Sequence, residues 1–226
     1  MVIGIIGYGK MGKKIEEISV DWGHTVGMKI NSKNPQDLNK SSISEIDVAI
    51  EFSQPQHAFK NISLCLENNV PVVSGTTGWL NHMKQIQLFC KKNNGTFFYA
   101  ENFSIGVNIL LKTTELLTQL TKSRNYKIEL TETHHKSKKD APSGTALMIQ
   151  NMINNLNYKQ TTPIKSKRIG NVIGEHNLEY LSKEDTISLK HTAHNRDGFA
   201  KGAILAAEFI KDKTGVFTMQ DLINKL

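Results

Sequence analysis

The chain opens "MVIGIIGYGKMGKKIEEI": an apolar run of strand length, a break at glycines, then helix-forming residues with apolar side chains at helical spacing. A strand that turns this sharply into a helix constrains everything after it. The turn, Gly7-Tyr8-Gly9-Lys10-Met11-Gly12, has the GxGxxG spacing of a dinucleotide-binding unit. Gly7 permits the tight turn, Gly9 lets backbone approach a pyrophosphate, and Gly12 lets the helix pack close to the strand. The helix start offers N–H groups and the positive end of its dipole to the phosphates. Elsewhere the motif would be weak; directly after a first strand it predicts dinucleotide binding over a bare strand-to-helix turn.

The alternation continues through "HTVGMKI", "EIDVAIEFS" and "VPVVSGTTG" as strands, "PQHAFKNISLCLENN" and "LNHMKQIQLFCKKNN" as helices, and "TFFYAENFS" as a strand. Strands recurring after helix-length connections predict α/β architecture, a Rossmann-type doubly wound parallel sheet with helices on both faces. Ligands of such sheets bind at the carboxyl ends of the strands. The expected cofactor contacts are therefore Gly7, Tyr8, Gly9, Lys10, Met11 and Gly12, then Ser53, then Gly75, Thr76 and Thr77 of "SGTTG", then Ala100, Glu101, Asn102 and Phe103. A unit that prefers NAD usually ends its second strand with an acid for the ribose 2′-hydroxyl. Here "GMKINSKNP" carries Lys29 and Lys33 and no acid, so the reading leans to NADPH, with NADH or dual use as the alternative.

With 226 residues the chain can bury a sizeable core in one large domain or two small ones. Its longest apolar runs are strand-sized, far below the roughly 18 residues a membrane helix needs, so no membrane association is expected. Met1 leads straight into a strand without a signal-peptide pattern, which predicts a cytoplasmic protein. The two cysteines, Cys65 and Cys90, fall in helix-like stretches outside any CxxC pair, so reduced thiols are expected. A net charge of +7 fits nucleic acid, small polyanionic ligands, or simply a Lys/Asn-rich composition.

From "FSIGVNILLKTTELLTQL" the pattern changes to a long amphipathic helix. In the strand "YKIELTETH", Tyr126, Ile128 and Leu130 alternate with Lys127, Glu129 and Thr131. "NVIGEHNLEYL" and "DTISLKHTAHN" alternate likewise, predicting an α+β domain with an antiparallel or mixed sheet. "AKGAILAAEFIKDK" is a helix of small residues, and "GVFTMQDLINKL" is expected to return to the nucleotide domain. The expected division is residues 1–103 completed by 197–226 for the dinucleotide, and 104–196 for substrate binding and oligomerisation.

The first strand of this second half delivers "ETHHKSKKDAPSGTA", residues 132–146. A metal site is not expected, because His134 and His135, as neighbours on a strand, point to opposite faces and no cysteine or paired carboxylate accompanies them. Nucleic acid is not expected either, since aromatic interleaving and a recognition helix are both missing. A solvated basic loop is the bland reading. The chemical one is that Lys136, Lys138 and Lys139 crowd the histidines and depress lysine and histidine pKa values toward neutrality. Asp140, Pro142, Ser143, Gly144 and Thr145 then read as a helix start, which beside lysines makes a carboxylate receptor. A hydride donor beside a pocket for a small carboxylate is a dehydrogenase or reductase architecture.

The stretch closely resembles the E-(x)-HHxxKxDAPSGTA signature of the dihydrodipicolinate (4-hydroxy-tetrahydrodipicolinate) reductase family, and the resemblance covers essentially the whole chain. "GYGKMG" and "SGTTG" resemble its two cofactor loops and "AENFSIGVN" its hinge strand, while "RIGNVIGEH" and "FAKGAILAA" also resemble family segments. The resemblance implies NAD(P)H-dependent reduction of a small dicarboxylate, 4-hydroxy-tetrahydrodipicolinate, in the diaminopimelate route to lysine. It implies His134 as the catalytic acid/base and Lys138 as proton donor. His135, Gly144 and Thr145 would bind the carboxylates, with Ser143 and Arg168 as secondary contacts, and the assembly would be a homotetramer. The missing acid after the second strand departs from NADH preference, and the short, Asn-rich stretch between Thr145 and Arg168 implies trimmed substrate cover. The rivals are another two-domain dehydrogenase of amino-acid metabolism, which lacks the double histidine before DAPSGT, and a non-catalytic nucleotide-binding regulator, which would not need His134 and Lys138.

Overall fold

The computed structural model describes residues 1–156 and 162–226. In chain order the first elements are β1 (Val2–Ile6), α1 (Lys10–Asp21), β2 (Thr25–Ile30), α2 (Lys40–Ile43), β3 (Val48–Glu51) and α3 (Pro55–Glu67). There follow β4 (Val72–Ser74), α4 (Met83–Asn93), β5 (Thr96–Tyr99), α5 (Ile105–Thr121), β6 (Lys127–His134) and α6 (Gly144–Asn155). The last are β7 (Ile164–Arg168), β8 (Gly174–Leu181), β9 (Thr186–Ala193), α7 (Asp197–Ile210), β10 (Gly215–Thr218) and α8 (Met219–Ile223). They form two compact units, Met1–Ile105 with Asp197–Leu226, and Gly106–Arg196. No described helix is long and apolar enough to cross a membrane.

The first unit is a six-stranded sheet in the order β10-β5-β4-β3-β1-β2, with every pairing parallel. Alternation along each strand feeds two cores. Ile3, Ile5, Val48, Ile50 and Phe98 pack with Ile15 and Ile18 of α1 and the alanines of α7. Ile6, Ala49 and Phe97 pack with Ala58 and Ile62 of α3 and with Ile86 and Cys90 of α4. Cys65 and Cys90 are buried free thiols. The small residues of α7 permit close approach: a Cβ on Gly202 would lie 1.8 Å from the Phe103 carbonyl oxygen. The strand order reverses at β1, which β2 flanks on one side and β3 on the other, opening a crevice beyond their carboxyl ends.

The second unit is a four-stranded mixed sheet, β7-β6-β8-β9, in which only β7–β6 is parallel. Ile128 and Leu130 of β6, Leu178 and Tyr180 of β8, Leu110 of α5 and Ala146, Ile149 and Ile153 of α6 form its core. The Tyr180 hydroxyl, buried there, is 2.8 Å from Thr118 Oγ1.

Two local expectations need correction. The supposed hinge strand ends at Tyr99; Ala100–Ser104 is irregular and Ile105 starts α5. The strand β7 was not foreseen, because "IKSKR" has no apolar alternation and exposes its three central residues. Pairing with β6 makes it a strand. The stretch expected to trim the substrate cover includes residues 157–161, which lie outside the described residues.

Candidate active site

In the first unit the crevice is a cavity of about 590 Å³ whose lining includes Gly7, Tyr8, Gly9, Ser53, Asn31 and Lys60. Gly7 has φ +99°, and a Cβ there would fall 2.1 Å from the Phe52 carbonyl oxygen, so the turn closes onto the end of β3 only with glycine. A Cβ at Gly12 would lie 2.7 Å from Gly7 O, as expected of tight helix packing, whereas one at Gly9 would meet nothing within 4 Å. Backbone at Gly9 is thus open to a ligand, and no side chain caps α1. Lys10, Met11 and Gly12 lie in the first turn of α1, outside the cavity lining.

Ser53 is held from below. Glu51, fully buried at the end of β3, accepts hydrogen bonds from Ser53 N (3.1 Å), from Ser53 Oγ and from Ser74 Oγ (2.7 Å). Thr76 Oγ1 accepts a second bond from Ser53 N at 2.9 Å, and the Thr76 carbonyl accepts from Trp79 Nε1 at 2.7 Å. Gly75 lies beneath the Phe52 and Phe103 rings, where a Cβ would approach to 2.3 and 2.9 Å. Phe103 is a core residue, Ala100 is buried, and Thr77 and Glu101 are exposed. Gly75, Thr76, Thr77, Ala100, Glu101, Asn102 and Phe103 thus follow β4 and β5 without lining the cavity.

Lys29, read as open to a 2′-phosphate, is engaged elsewhere. Its Nζ is 3.0 Å from Glu16 Oε1 and 5.5 Å from the centre of the Tyr8 ring, while Tyr8 Oη donates to the other Glu16 oxygen. Hydrogen bonds from Tyr8 and then Lys29 hold the Glu16 carboxyl below its ordinary value. Lys33 is exposed and not in the lining; the cavity wall takes Lys60 and His57 from α3 instead. No carboxylate lines the cavity.

In the second unit the buried face of β6 changes chemistry along its length. Ile128 and Leu130 serve the core, and Glu132 and His134 follow on the same face. Across the sheet Ser166, Glu132, His176 and His191 stand side by side in register. Glu132 is fully buried and its Oε2 meets His134 Nδ1. Arg168 Nη1 lies 2.9 Å from Glu132 Oε1 as a charge contact, its hydrogen bond going to the Lys167 carbonyl at 2.7 Å. The His134 and His176 rings meet edge-on at 5.4 Å, and His176 Nε2 is 3.2 Å from Ser143 Oγ. Ser143 caps α6 by accepting from Ala146 N at 3.2 Å, so the helix start and the polar end of the sheet share one hydroxyl.

Between them runs the basic turn. Lys138 Nζ is 2.8 Å from both carboxylate oxygens of Asp140, and Arg168 Nη2 donates to the Asp140 carbonyl at 2.5 Å. His135, just past the strand, pairs its Nδ1 with Ser137 Oγ at 2.8 Å. Gly144 is exposed at the first position of α6, with Thr145 partly buried beside it. The expected cause of histidine tuning is corrected here. Burial is what chiefly lowers His134, against the upward pull of Glu132, and Lys138 and Arg168 add only smaller effects. Burial also takes His176 down to about 4. For Glu132 burial pushes upward, but Ser166, Arg168 and His134 together outweigh it and leave the carboxyl below its ordinary value. Among the described residues no group of three His, Cys, Asp or Glu is arranged to hold a metal ion.

Sequence reasoning placed no role on Glu51, Glu132, His176, Asn31 or Lys60. For Glu132 and His176 a signal was present: polar residues at positions where the strand's alternation calls for apolar ones. Lys60 follows from helix phase only once the crevice is known.

Residues 1–103 match the family described as dihydrodipicolinate reductase, N-terminus, and residues 106–223 match its C-terminus. The chain belongs to the dihydrodipicolinate reductase family. A family member from Christiangramia forsetii, named 4-hydroxy-tetrahydrodipicolinate reductase, is 43% identical over 100% of this chain and 99% of its own length. One of the same name from Thermosipho africanus is 38% identical with the same coverage. In fold the family likeness extends to a dipicolinate-bound dihydrodipicolinate reductase from Paenisporosarcina sp. TG-14, with TM-score 0.85, 24% identity and 98% of each chain covered. A probable dehydrogenase from Thermotoga maritima shares the fold more distantly, with TM-score 0.60 and 11% identity over 99% of this chain and 93% of its own.

Proposed function

We infer that the chain catalyses the NAD(P)H-dependent reduction of 4-hydroxy-tetrahydrodipicolinate to tetrahydrodipicolinate, in the diaminopimelate route to lysine. Family membership over both halves supports the reaction. The observation that carries the chemistry is the strand end at His134 followed, across the Lys138 turn, by the capped start of α6. In this reading the first unit binds the dinucleotide and the second the substrate, and the enzyme is a cytoplasmic homotetramer needing neither metal nor nucleic acid.

The first unit fits a dinucleotide: Gly7 is closed down where a Cβ could not stand, Gly9 is open, and α1 presents an uncapped N-terminus. When bound, the nicotinamide supplies a hydride. Gly7 through Gly12 would receive the pyrophosphate, with Ser53, Gly75, Thr76 and Thr77, and Ala100 to Phe103, serving the parts that lie along the strand ends. A lining without carboxylate, holding Lys60, favours NADPH while admitting NADH.

In the second unit the backbone N–H of Gly144, with Thr145, Ser143 and His135, would hold the substrate carboxylates at the positive end of α6. After water is lost, reduction of the carbon–carbon double bond conjugated with the ring imine leaves one carbon needing a proton. Lys138 supplies it, leaving Asp140 as its salt-bridge partner to do so. His134 acts as the acid/base beside it.

The test is oxidation of NADPH and NADH, side by side, by purified protein given enzymatically generated substrate; no rate above background refutes the reading. Lys138→Ala is expected to keep cofactor binding and lose about 10²- to 10⁴-fold in turnover, the usual contribution of a placed acid or base.

A further inference from the structure

A sheet of this size can be closed with apolar residues alone, yet this one buries a carboxylate. Glu132 is 0% exposed, and a buried charge is costly unless it is paired and hydrogen-bonded. Its position on β6, two residues before His134, puts both side chains on one face. Its Oε2 meets His134 Nδ1, while Ser166 and Arg168 attend from β7.

We propose that Glu132 is a positioning residue for His134: it holds the imidazole proton on Nδ1 and leaves Nε2 as the nitrogen that meets the substrate. The proposal rests on the reading of His134 as the acid/base. An ionised carboxylate is acceptor-only, so the reverse tautomer would set a ring lone pair against it. Nε2 has no hydrogen bond from any described residue. It lies against Gly174, where a Cβ would come within 3.1 Å, so the missing side chain leaves the ring its place. The edge-on contact with His176 holds the ring plane. The charged and titratable groups facing His134 are Glu132 on β6, Arg168 on β7, His176 on β8 and Lys138 in the following turn. Of these, Glu132 alone favours the imidazolium, and burial outweighs it. The pair therefore shares one proton, on Nδ1, at neutral pH.

Long-range ¹H–¹⁵N correlation on the ¹⁵N-histidine-labelled native protein reads the tautomer directly. A protonated Nδ1 with a pyridine-like Nε2 for His134 is expected, and an Nε2–H tautomer overturns the proposal whether or not any variant folds. In Glu132→Gln, kcat/KM is expected to fall about 10- to 100-fold, the usual loss when a side chain orienting a reactive one is removed, with the cofactor KM unchanged. The acid limb of its kcat/KM profile should move to lower pH, since the charge favouring the imidazolium is gone. A folded Glu132→Gln enzyme with native rate and profile, changed only in stability, makes Glu132 a structural residue and overturns the proposal. His134→Gln separates the two readings: if it keeps native turnover the acid/base reading fails, and the proposal with it. If it is inactive while Glu132→Gln is native, only the positioning role fails.

Discussion

Acid should unfold this protein in part through one histidine. His176 is 4% exposed on β8; burial first, then the charge His134 carries once protonated, take it from the ordinary 6.5 to about 4 against the upward pull of Glu132, with His191 and Lys138 adding smaller downward effects. The folded chain therefore keeps a neutral imidazole at a pH where the unfolded chain has taken up a proton. Its contribution is complete above the unfolded value of 6.5 and is lost progressively as pH falls toward the folded value of about 4. At about 1.4 kcal/mol for each pKa unit the full loss is about 3 kcal/mol, of which about 2 has gone by roughly pH 5. His176→Gln has similar size, can still meet Ser143 Oγ and does not titrate. It should cost about 1 kcal/mol near neutral pH through the altered hydrogen bond. Between about pH 7.5 and pH 5 the stability gap between native and variant should then close or reverse, by about 2 kcal/mol. Urea unfolding at constant ionic strength measures the gap, and the His176 ring proton followed by NMR should not titrate above about pH 5. A gap that stays constant across the range refutes the reasoning, because His176 would then titrate alike in both states.

Gly174→Ala places a methyl 3.1 Å from His134 Nε2, so the ring must give way. We expect turnover to fall about tenfold with cofactor affinity unchanged, as a shift of tenths of an ångström at a reacting group predicts; unchanged kcat would show that the ring is not held there. Gly7→Ala drives a Cβ to 2.1 Å from the Phe52 carbonyl oxygen at a φ of +99°, and should cost about 3 kcal/mol or more by denaturant titration and abolish NAD(P)H binding by calorimetry. Glu51→Gln turns one acceptor oxygen into a donor facing hydroxyls that already donate. It should cost about 2 kcal/mol and, through Ser53, weaken cofactor binding as read by calorimetry.

Much of the fold was legible because its cues are local. Glycines at 7, 9 and 12 serve a turn set by its own backbone, and apolar alternation at period two marks β6, β8 and β9 whatever they later pack against. Ser143 was recognisable as a cap because its partner, Ala146 N, is three residues away. By contrast β7 has no such pattern, and only its neighbour makes it a strand. Lys29 looked available to a phosphate because the residue that engages it, Glu16, lies on a different element.

The sequence by itself determined the nucleotide-type first half, the α+β second half and the placing of His134 and Lys138 between a strand end and a helix start. Each follows from spacings within one element or from the order of neighbouring elements along the chain. Only the tertiary structure decided which charges are satisfied and which protons are held. The rung Ser166–Glu132–His176–His191 joins four strands, and Glu51 ties the ends of β3 and β4. Burial, which lowers His134 and His176, is a property of everything packed around a side chain rather than of its neighbours in the chain. That is why a row of lysines was the wrong cause to read from the sequence, and a buried carboxylate two residues before the histidine the partner it left unassigned.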